Sequence, residues 1–166
     1  MKTQRKRRRQ GKTDYKKRIN LLKGDSPRVV FRKTNKYIIS QYVTSNQTKD
    51  SVEIGVNSKQ LLSYGWPDEF KGSLKSLPAS YLTGFLMGKR ILKEKKQTPV
   101  VDFGMTRMIW KTKTFAFLKG LVDAGVKIKQ KKAEAFPSKE RVEGKNLKKD
   151  FSKKFDEVKS KIEKEI

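Results

Sequence analysis

A run of five cationic side chains stands near the start of the sequence: Arg5, Lys6, Arg7, Arg8 and Arg9. Lysine and arginine head groups contact phosphate oxygens almost regardless of base sequence, so this run suits the backbone of a nucleic acid. A nuclear-localisation patch would have a similar composition. Adjacent like charges repel one another, and we therefore expect the run to lack regular structure in isolation.

A second cationic set surrounds a polar turn further along the chain. Residues 32–37 offer three cations, a hydroxyl, an amide and an aromatic ring. Such a set can hold phosphates and can stack on or hydrogen-bond an unstacked base, which is how proteins recognise irregular RNA. A solvated turn of mixed charge is the alternative, but the cations flank the turn on both strands, which favours binding.

The predicted RNA-binding residues form two layers. Residues 5–12 would neutralise phosphates, while later residues, beginning with Tyr15 and Arg18, would set the register on a folded RNA. The full set is Arg5, Lys6, Arg7, Arg8, Arg9, Lys12, Thr13, Tyr15, Arg18, Arg28, Arg32, Lys33, Thr34, Asn35, Lys36 and Tyr37.

Residues that could support catalysis are few and scattered. The sequence has no Cys and no His, which removes disulfides, Cys/His zinc sites and nucleophilic catalysis centred on either residue. A two-metal nuclease needs several carboxylates clustered at strand ends, whereas Glu53, Asp102 and Asp123 fall in separate predicted elements. We interpret these acids as capping or solvated groups and predict no catalytic residue, no metal site and no cofactor.

The overall charge points to a polyanionic partner. The 42 Lys and Arg residues against 17 Asp and Glu give a net charge of +25, and residues 1–36 alone carry 15 basic and 2 acidic side chains. A polyanion relieves the self-repulsion of such a chain, and nucleic acid is the usual one. A membrane surface is the competing partner, but no early segment has a basic face opposite an apolar one. With no membrane-spanning run and no signal-peptide core, we expect a cytoplasmic protein.

The elements that position these residues are predicted from hydrophobic periodicity. Strands are expected at 28–32, 37–43, 51–56, 99–104 and 126–129, and helices at 78–95 and 115–124. The element order is three strands, then a helix, a strand, a second helix and a last strand. This order predicts a mixed sheet with helices packed on its faces. We therefore predict an α/β fold with the ribonuclease H-like arrangement.

Several glycines and one loop carry more specific expectations. Gly55 is a possible β-bulge, and Gly125 is the expected left-handed stop of the second helix. Ser80, Gly84 and Gly88 share one helix face, which predicts close approach of that helix to the sheet.

In the loop 105–113, residues 108–110 (Met, Ile, Trp) are either core or a protein contact, with core favoured. Arg107, Lys111 and Lys113 frame them as further candidate RNA contacts.

The chain divides into three parts by composition. Residues 1–26 form a basic N-terminal RNA-binding arm, 27–130 an α/β core domain, and 131–166 a basic extension. Within the extension, Phe151, Phe155, Val158 and Ile162 recur at spacings of four, three and four, which predicts an amphipathic C-terminal helix whose partner the sequence does not indicate.

These segments resemble the archaeal and eukaryotic form of the universal large-subunit ribosomal protein family numbered eighteen. The resemblance rests on seven collinear motifs over most of residues 12–147. They are KTDY at 12–15, PRVVFRKTNK at 27–36, YGW at 64–66, ASYLTGFLMGKR at 79–90, VDFG at 101–104, LKGLVDAG at 118–125 and PSKER at 137–141.

The resemblance implies a non-catalytic protein that binds 5S ribosomal RNA through the arm and hairpin tip. It also implies that this protein tethers 5S RNA to the large-subunit RNA, beside other large-subunit proteins that include the 5S-binding protein numbered five.

The chain departs from the family pattern at two places that affect the site. Tyr37 stands where the family often has His, so a stacking role transfers but a His-specific hydrogen bond does not. Residues 105–114 differ from the family's usual Gly-rich loop, so contacts there do not transfer.

Two other functional classes remain open from the residues alone. A general nucleic-acid-compacting protein would bind DNA and RNA alike, without preference for a folded target. A metal-dependent nuclease, which the scattered carboxylates disfavour, would cleave with Mg²⁺ or Mn²⁺ and would lose activity when Asp102 is changed.

Overall fold

The computed structural model describes residues 3–46, 49–128, 133–147 and 151–165. Short 3-10 helices lie at Ser58–Leu62, Asp68–Ser73 and Ala133–Ala135. The other elements are α1 (Lys6–Arg9), α2 (Tyr15–Leu22), β1 (Arg28–Lys33), β2 (Ile38–Asn46), β3 (Lys49–Asn57), α3 (Leu77–Lys93), β4 (Val100–Asp102), α4 (Lys113–Asp123), α5 (Lys139–Glu143) and α6 (Ser152–Glu165).

The described strands form one mixed sheet in the order β3-β2-β1-β4. β1, β2 and β3 are an antiparallel meander, and β4 returns parallel to β1 after the α3 crossover. The α/β fold predicted from the element order is therefore confirmed. The predicted boundary of the core domain at residue 26 stays a prediction, and the boundary at residue 130 lies outside the described residues.

The bulge in β3 lies at Glu53, so the expectation of a bulge at Gly55 was wrong. Tyr42 pairs with Ile54 while Val43 pairs with Val52, which leaves Glu53 as the extra residue. Its carboxylate accepts a hydrogen bond from the Thr44 hydroxyl at 2.7 Å. It also pairs with the Lys96 ammonium at 2.8 Å. A glycine has no side chain with which to make these contacts.

Helix α3 forms the centre of the molecule. The Ser76 hydroxyl accepts a hydrogen bond from the Ala79 N–H, and Pro78 occupies the first turn, where its missing N–H costs nothing. The buried residues of the helix run without a break from Pro78 to Gly88, so α3 is enclosed on all sides through most of its length. The predicted range of 78–95 is close to the observed one.

The small residues of α3 allow close approach to α4, not to the sheet as predicted. A Cβ added at Gly84 would collide with the backbone carbonyl of Phe117, and one at Gly120 with the backbone of Tyr81. At Gly88 the added atom would lie 2.6 Å from the Ala124 Cβ. The two helices are therefore packed backbone to backbone, because glycines on both of them remove the intervening side chains.

The predicted last strand at 126–129 is not formed over its described residues 126–128, and Lys129 lies outside the described residues. Gly125 ends α4 at φ +106°, as predicted. The Val126 N–H then donates to the Leu121 carbonyl, and the Gly125 N–H donates to the Val122 carbonyl. This Schellman ending turns Val126 back into the core, and the described residues 126–128 form no strand beside β4. Val100 on β4 is 44% exposed.

The amphipathic C-terminal helix is confirmed, and it packs against the chain's own core. Phe155, Val158 and Ile162 are buried along α6. Just before the helix, the Phe151 ring lies 4.7 Å from the Trp66 ring and 5.1 Å from the Phe70 ring. The described part of the C-terminal extension therefore packs on α3 and on the segment 64–70 and joins the hydrophobic core.

Candidate nucleic-acid interface

The two faces of β1 have different chemistry. Val29 and Phe31 are buried in the hydrophobic core, where the Phe31 ring contacts Phe103 and Phe117. Side chains alternate along a strand, so Arg28 and Arg32 project from the opposite face. Helix α2 lies over this second face and has no buried residue of its own. Polar contacts therefore hold the N-terminal arm against the sheet.

The first of these contacts is a network around Asp50. One carboxylate oxygen pairs with the Arg28 guanidinium at 2.8 Å, and the other pairs with Arg18 of α2 at 2.7 Å. The Ser45 hydroxyl also donates to this carboxylate at 2.8 Å. Arg28 is only 3% exposed, so its charge is compensated inside the protein. Through the shared carboxylate, a buried strand arginine and a helix arginine are bound to each other.

A second network lies where β1 and β4 end side by side. The Arg32 guanidinium pairs with the Asp102 carboxylate at 2.9 Å and donates to the Asp102 carbonyl at 3.0 Å. The Gly104 N–H donates to the same carboxylate at 2.8 Å. The Gly104 carbonyl in turn accepts a hydrogen bond from Lys17 of α2 at 3.2 Å. Gly104 has φ +59°, and an added Cβ would lie 2.9 Å from the Arg32 Cζ, so the position requires glycine.

Within the folded chain, Lys6–Arg9 of the basic run forms the single helical turn α1, while the expectation for the isolated run stays a prediction. Asp14, the N-cap of α2, pairs with Arg8 at 3.1 Å. The Arg7 Nε donates to the Thr13 hydroxyl at 3.0 Å, and the Arg5 guanidinium lies over the Tyr15 ring at 5.0 Å. These neighbours from the next segment offset the repulsion within the run.

The carboxylates in these networks are held in their charged form. At Asp50 and Asp102, burial alone would raise the pKa, but the arginine partners and hydrogen bonds lower it below the ordinary value near 3.8. The Lys17 backbone N–H is the main cause of the lowered pKa of Asp14. The negative charges that dock the arm therefore persist throughout the neutral range.

The hairpin tip is a closed turn with exposed cations. The Thr34 hydroxyl donates to the Tyr37 carbonyl and accepts from the Tyr37 N–H, both at 2.9 Å. Lys33, Asn35 and Lys36 are exposed, while Tyr37 is half-buried against the core. Thr34 is therefore used within the turn, and the neighbouring polar side chains face solvent.

The structure divides the cations of the predicted site into two sets. Arg8, Arg18, Arg28 and Arg32 are paired with carboxylates of the protein. The exposed cations that form no ion pair with any carboxylate in the described ranges are Arg5, Lys6, Arg7, Arg9, Lys12, Lys33 and Lys36. Sequence reasoning missed Asp50 and Ser45, because nothing in a turn sequence indicates which distant arginine it will contact.

The scattered acids each have a structural partner. Glu53 and Asp102 are paired as described above, and Asp123 accepts a hydrogen bond from the Tyr81 hydroxyl at 2.7 Å. Among the residues that the structure describes, no group of three or more acidic side chains could hold a metal ion. The interpretation of these acids as capping or solvated groups was wrong for Asp102, which is buried in an ion pair with Arg32.

Comparison with known proteins identifies the family. The family model described as "Ribosomal large subunit proteins 60S L5, and 50S L18" matches residues 1–101. The large ribosomal subunit protein uL18 of Korarchaeum cryptofilum is 40% identical, over 91% of this chain and 74% of the relative. That of Methanoregula boonei is 35% identical, over 96% of this chain and 92% of the relative. The chain belongs to the uL18 family.

Membership of the uL18 family establishes the general role. The chain is a structural protein of the large ribosomal subunit and is therefore cytoplasmic. Its relatives are not enzymes, which supports the prediction of a non-catalytic protein. Within the described residues, no helix combines the length and apolar character needed to span a membrane.

One loop of this uL18-family chain differs from the prediction made for it. Met108, Ile109 and Trp110 were expected in the core, but they are 45%, 52% and 49% exposed. Beneath the sheet, the Phe31 ring instead contacts the rings of Phe103 and Phe117. The loop therefore presents its apolar side chains outward, between flanking cations.

Proposed function

We propose that this protein binds 5S ribosomal RNA and tethers it to the large-subunit RNA, next to other subunit proteins that include the 5S-binding protein numbered five. Family membership supports the ribosomal setting. The observation that carries the RNA proposal is the distribution of ion pairs. Internal carboxylates compensate the arginines that dock the arm, while the outer cations of the arm and the hairpin tip are left for phosphates.

The two sets of cations have different roles in this proposal. Arg18, Arg28 and Arg32 act as positioning residues, because they fix α2 and the end of β1 through Asp50 and Asp102. The exposed arm cations neutralise phosphates. Lys33, Asn35 and Lys36 at the hairpin tip contact an irregular part of the RNA, with Tyr37 beside them.

The docked arm also reaches the end of the sheet that carries the hairpin tip, which supports a continuous RNA surface. Lys17 of the arm contacts Gly104, which lies against the Arg32 guanidinium, and Arg32 directly precedes the hairpin tip. Arg8 of α1 lies within 3.9 Å of the Met105 sulfur, one residue beyond Gly104. The docked arm therefore runs close to the base of the hairpin tip.

The hairpin tip provides the sharpest test. The double variant Lys33→Ala/Lys36→Ala should weaken binding to 5S RNA by roughly tenfold, and binding to an unrelated RNA duplex by much less. The matched control Lys153→Ala/Lys164→Ala removes the same charge from the exposed face of α6. Filter binding with both RNAs would measure the effect. Equal losses on the two RNAs, or an equal loss in the control, would contradict recognition by the hairpin tip.

A further inference from the structure

A pocket of about 410 Å³ lies between the end of β1, the start of α3 and the loop before α4. Its apolar wall is formed by Phe31, Leu77 and Ile109. This volume lies within the range of small-ligand sites. Apart from Lys33, the cations that line the pocket are Arg107, Lys111, Lys113 and Arg141. The first three are further candidate RNA contacts from the sequence, and none of the four has a role in the function proposed above.

The charged side chains that line the pocket in the described residues are all cationic. Among the described residues, no carboxylate lines the pocket, and none of the five cations that line it forms an ion pair with a described carboxylate. Burial lowers the pKa of Lys113, and the nearby charges of Lys33 and Lys75 lower it further. Crowding like charges at a half-buried site costs free energy, and a bound anion would remove that cost.

Exposed apolar side chains stand directly beside these cations. Ile109 lines the pocket, and Trp110 follows it, with about half of each side chain exposed. A site for phosphate alone would require only the cations, without the exposed apolar side chains. A site for an apolar partner would not require five cations. A nucleotide joins both chemistries, because it carries an anionic phosphate and a flat apolar base.

We propose that this pocket binds an unpaired nucleotide of RNA, with the phosphate between Arg107 and Lys113 and the base against Ile109 and Trp110. The bases of a continuous duplex are stacked inside the helix, and its narrow major groove does not admit side chains. This second RNA contact rests on the proposed RNA-binding function. It extends the binding surface from the hairpin tip, through Lys33, to the loop before α4.

Trp110 provides a local measurement of base contact. Of the two tryptophans in the sequence, Trp66 is 4% exposed and donates its Nε1–H to the Phe70 carbonyl. External quenchers therefore act mainly on Trp110. Titration of the full chain with a short oligouridylate, whose bases are largely unstacked, should quench this emission in a saturable way. An RNA duplex of the same length should bind without comparable quenching.

The double variant Arg107→Ala/Lys113→Ala should weaken the oligouridylate-dependent quenching by roughly tenfold. The control Lys153→Ala/Lys164→Ala removes equal charge elsewhere and should change it less than about twofold. Equal weakening in both variants, or equal quenching by the duplex, would overturn the proposal. Absence of quenching by bound oligouridylate would also overturn it and would favour a protein partner for the exposed loop.

These results can be separated from a failure of the proposed function. Arg107→Ala/Lys113→Ala leaves the arm and the hairpin tip unchanged, so the variant should still bind 5S RNA in preference to transfer RNA. Absence of quenching in the wild-type protein by bound oligouridylate, together with a wild-type preference for 5S RNA, would reject the pocket alone. A wild-type protein with no preference for 5S RNA would reject the proposed function.

Discussion

At the residue scale, a cation's ion-pair partner indicates its role. Arg28 was grouped with RNA-contacting residues because of its charge, yet it is buried against Asp50 and Ser45. Lys36, with the same formal charge, is exposed and makes no ion pair with a described carboxylate. The sequence predicted that Arg28 lies on a strand and that Lys36 lies in the turn after it. It did not predict the ion-pair partner of Arg28, because Asp50 belongs to a different hairpin. Sequence patterns therefore identified the cationic surface without distinguishing its binding residues from its positioning residues.

The carboxylates that position the arm should make stability depend on pH. The pKa values of Asp14, Asp50, Asp102 and Glu53 are all lowered in the folded state. A lowered folded-state pKa contributes stability above the ordinary value near 3.8, and this contribution is lost as the pH falls through the folded-state value. We therefore expect the free energy of unfolding in urea to decline below about pH 4.

Asp102→Asn tests this account at one residue. The variant should lose about 2 kcal/mol at neutral pH, because a charge-assisted pair at a mostly buried carboxylate is weakened. Its stability should also decline less steeply with acid than that of the wild type. Asp25→Asn, which changes an exposed acid with no described ion pair, serves as the control. An unchanged pH profile in Asp102→Asn would contradict the assigned role of the carboxylate.

At the element scale, the α3–α4 contact shows how far local patterns can be interpreted. The aligned Gly84 and Gly88 correctly predicted close packing, but they did not indicate the partner element. The matching Gly120 belongs to α4, and only the folded arrangement places it against Tyr81. The absence of a strand at 126–128 has a similar origin. Its alternating pattern suits a strand, but the Schellman hydrogen bonds after Gly125 direct Val126 into the core.

Gly84→Ala should therefore be strongly destabilising. The added methyl group would meet the Phe117 carbonyl, a backbone atom that cannot move without shifting α4. We expect a loss of about 3 kcal/mol, which outweighs the roughly 1 kcal/mol that alanine normally gains over glycine within a helix. Gly72→Ala is the control, since no atom lies within 4 Å of its added Cβ. Urea denaturation would compare them, and similar stabilities would contradict the packing described here.

At the scale of the whole molecule, charge is separated into compensated and uncompensated regions. The core is completed by α6 and by Phe151 just before it, which packs on Trp66 and Phe70, while the arm is attached by ion pairs. An α/β core with a basic N-terminal segment was predictable from periodicity and composition. The docking of that segment was not, since it depends on contacts between residues distant in the sequence.

Removing residues 1–12 should reduce the salt dependence of RNA binding. The truncation deletes the exposed cations Arg5, Lys6, Arg7, Arg9 and Lys12, and each lost phosphate contact lowers the log–log salt slope by roughly 0.7–0.9. We therefore expect a slope shallower by roughly 4, measured by titration over a range of salt concentrations. The sheet and helices α2–α6 are retained, so circular dichroism should change little. An unchanged slope would mean that the arm does not contact phosphates.

The central claim is that this protein recognises 5S ribosomal RNA as a folded target. Competition binding at near-physiological salt tests it most directly, with labelled 5S RNA challenged by excess transfer RNA and duplex DNA. The proposed arrangement of positioning residues and exposed cations predicts that 5S RNA stays bound. Equal displacement by either competitor would contradict the claim, because a cationic surface without shape recognition binds all polyanions alike.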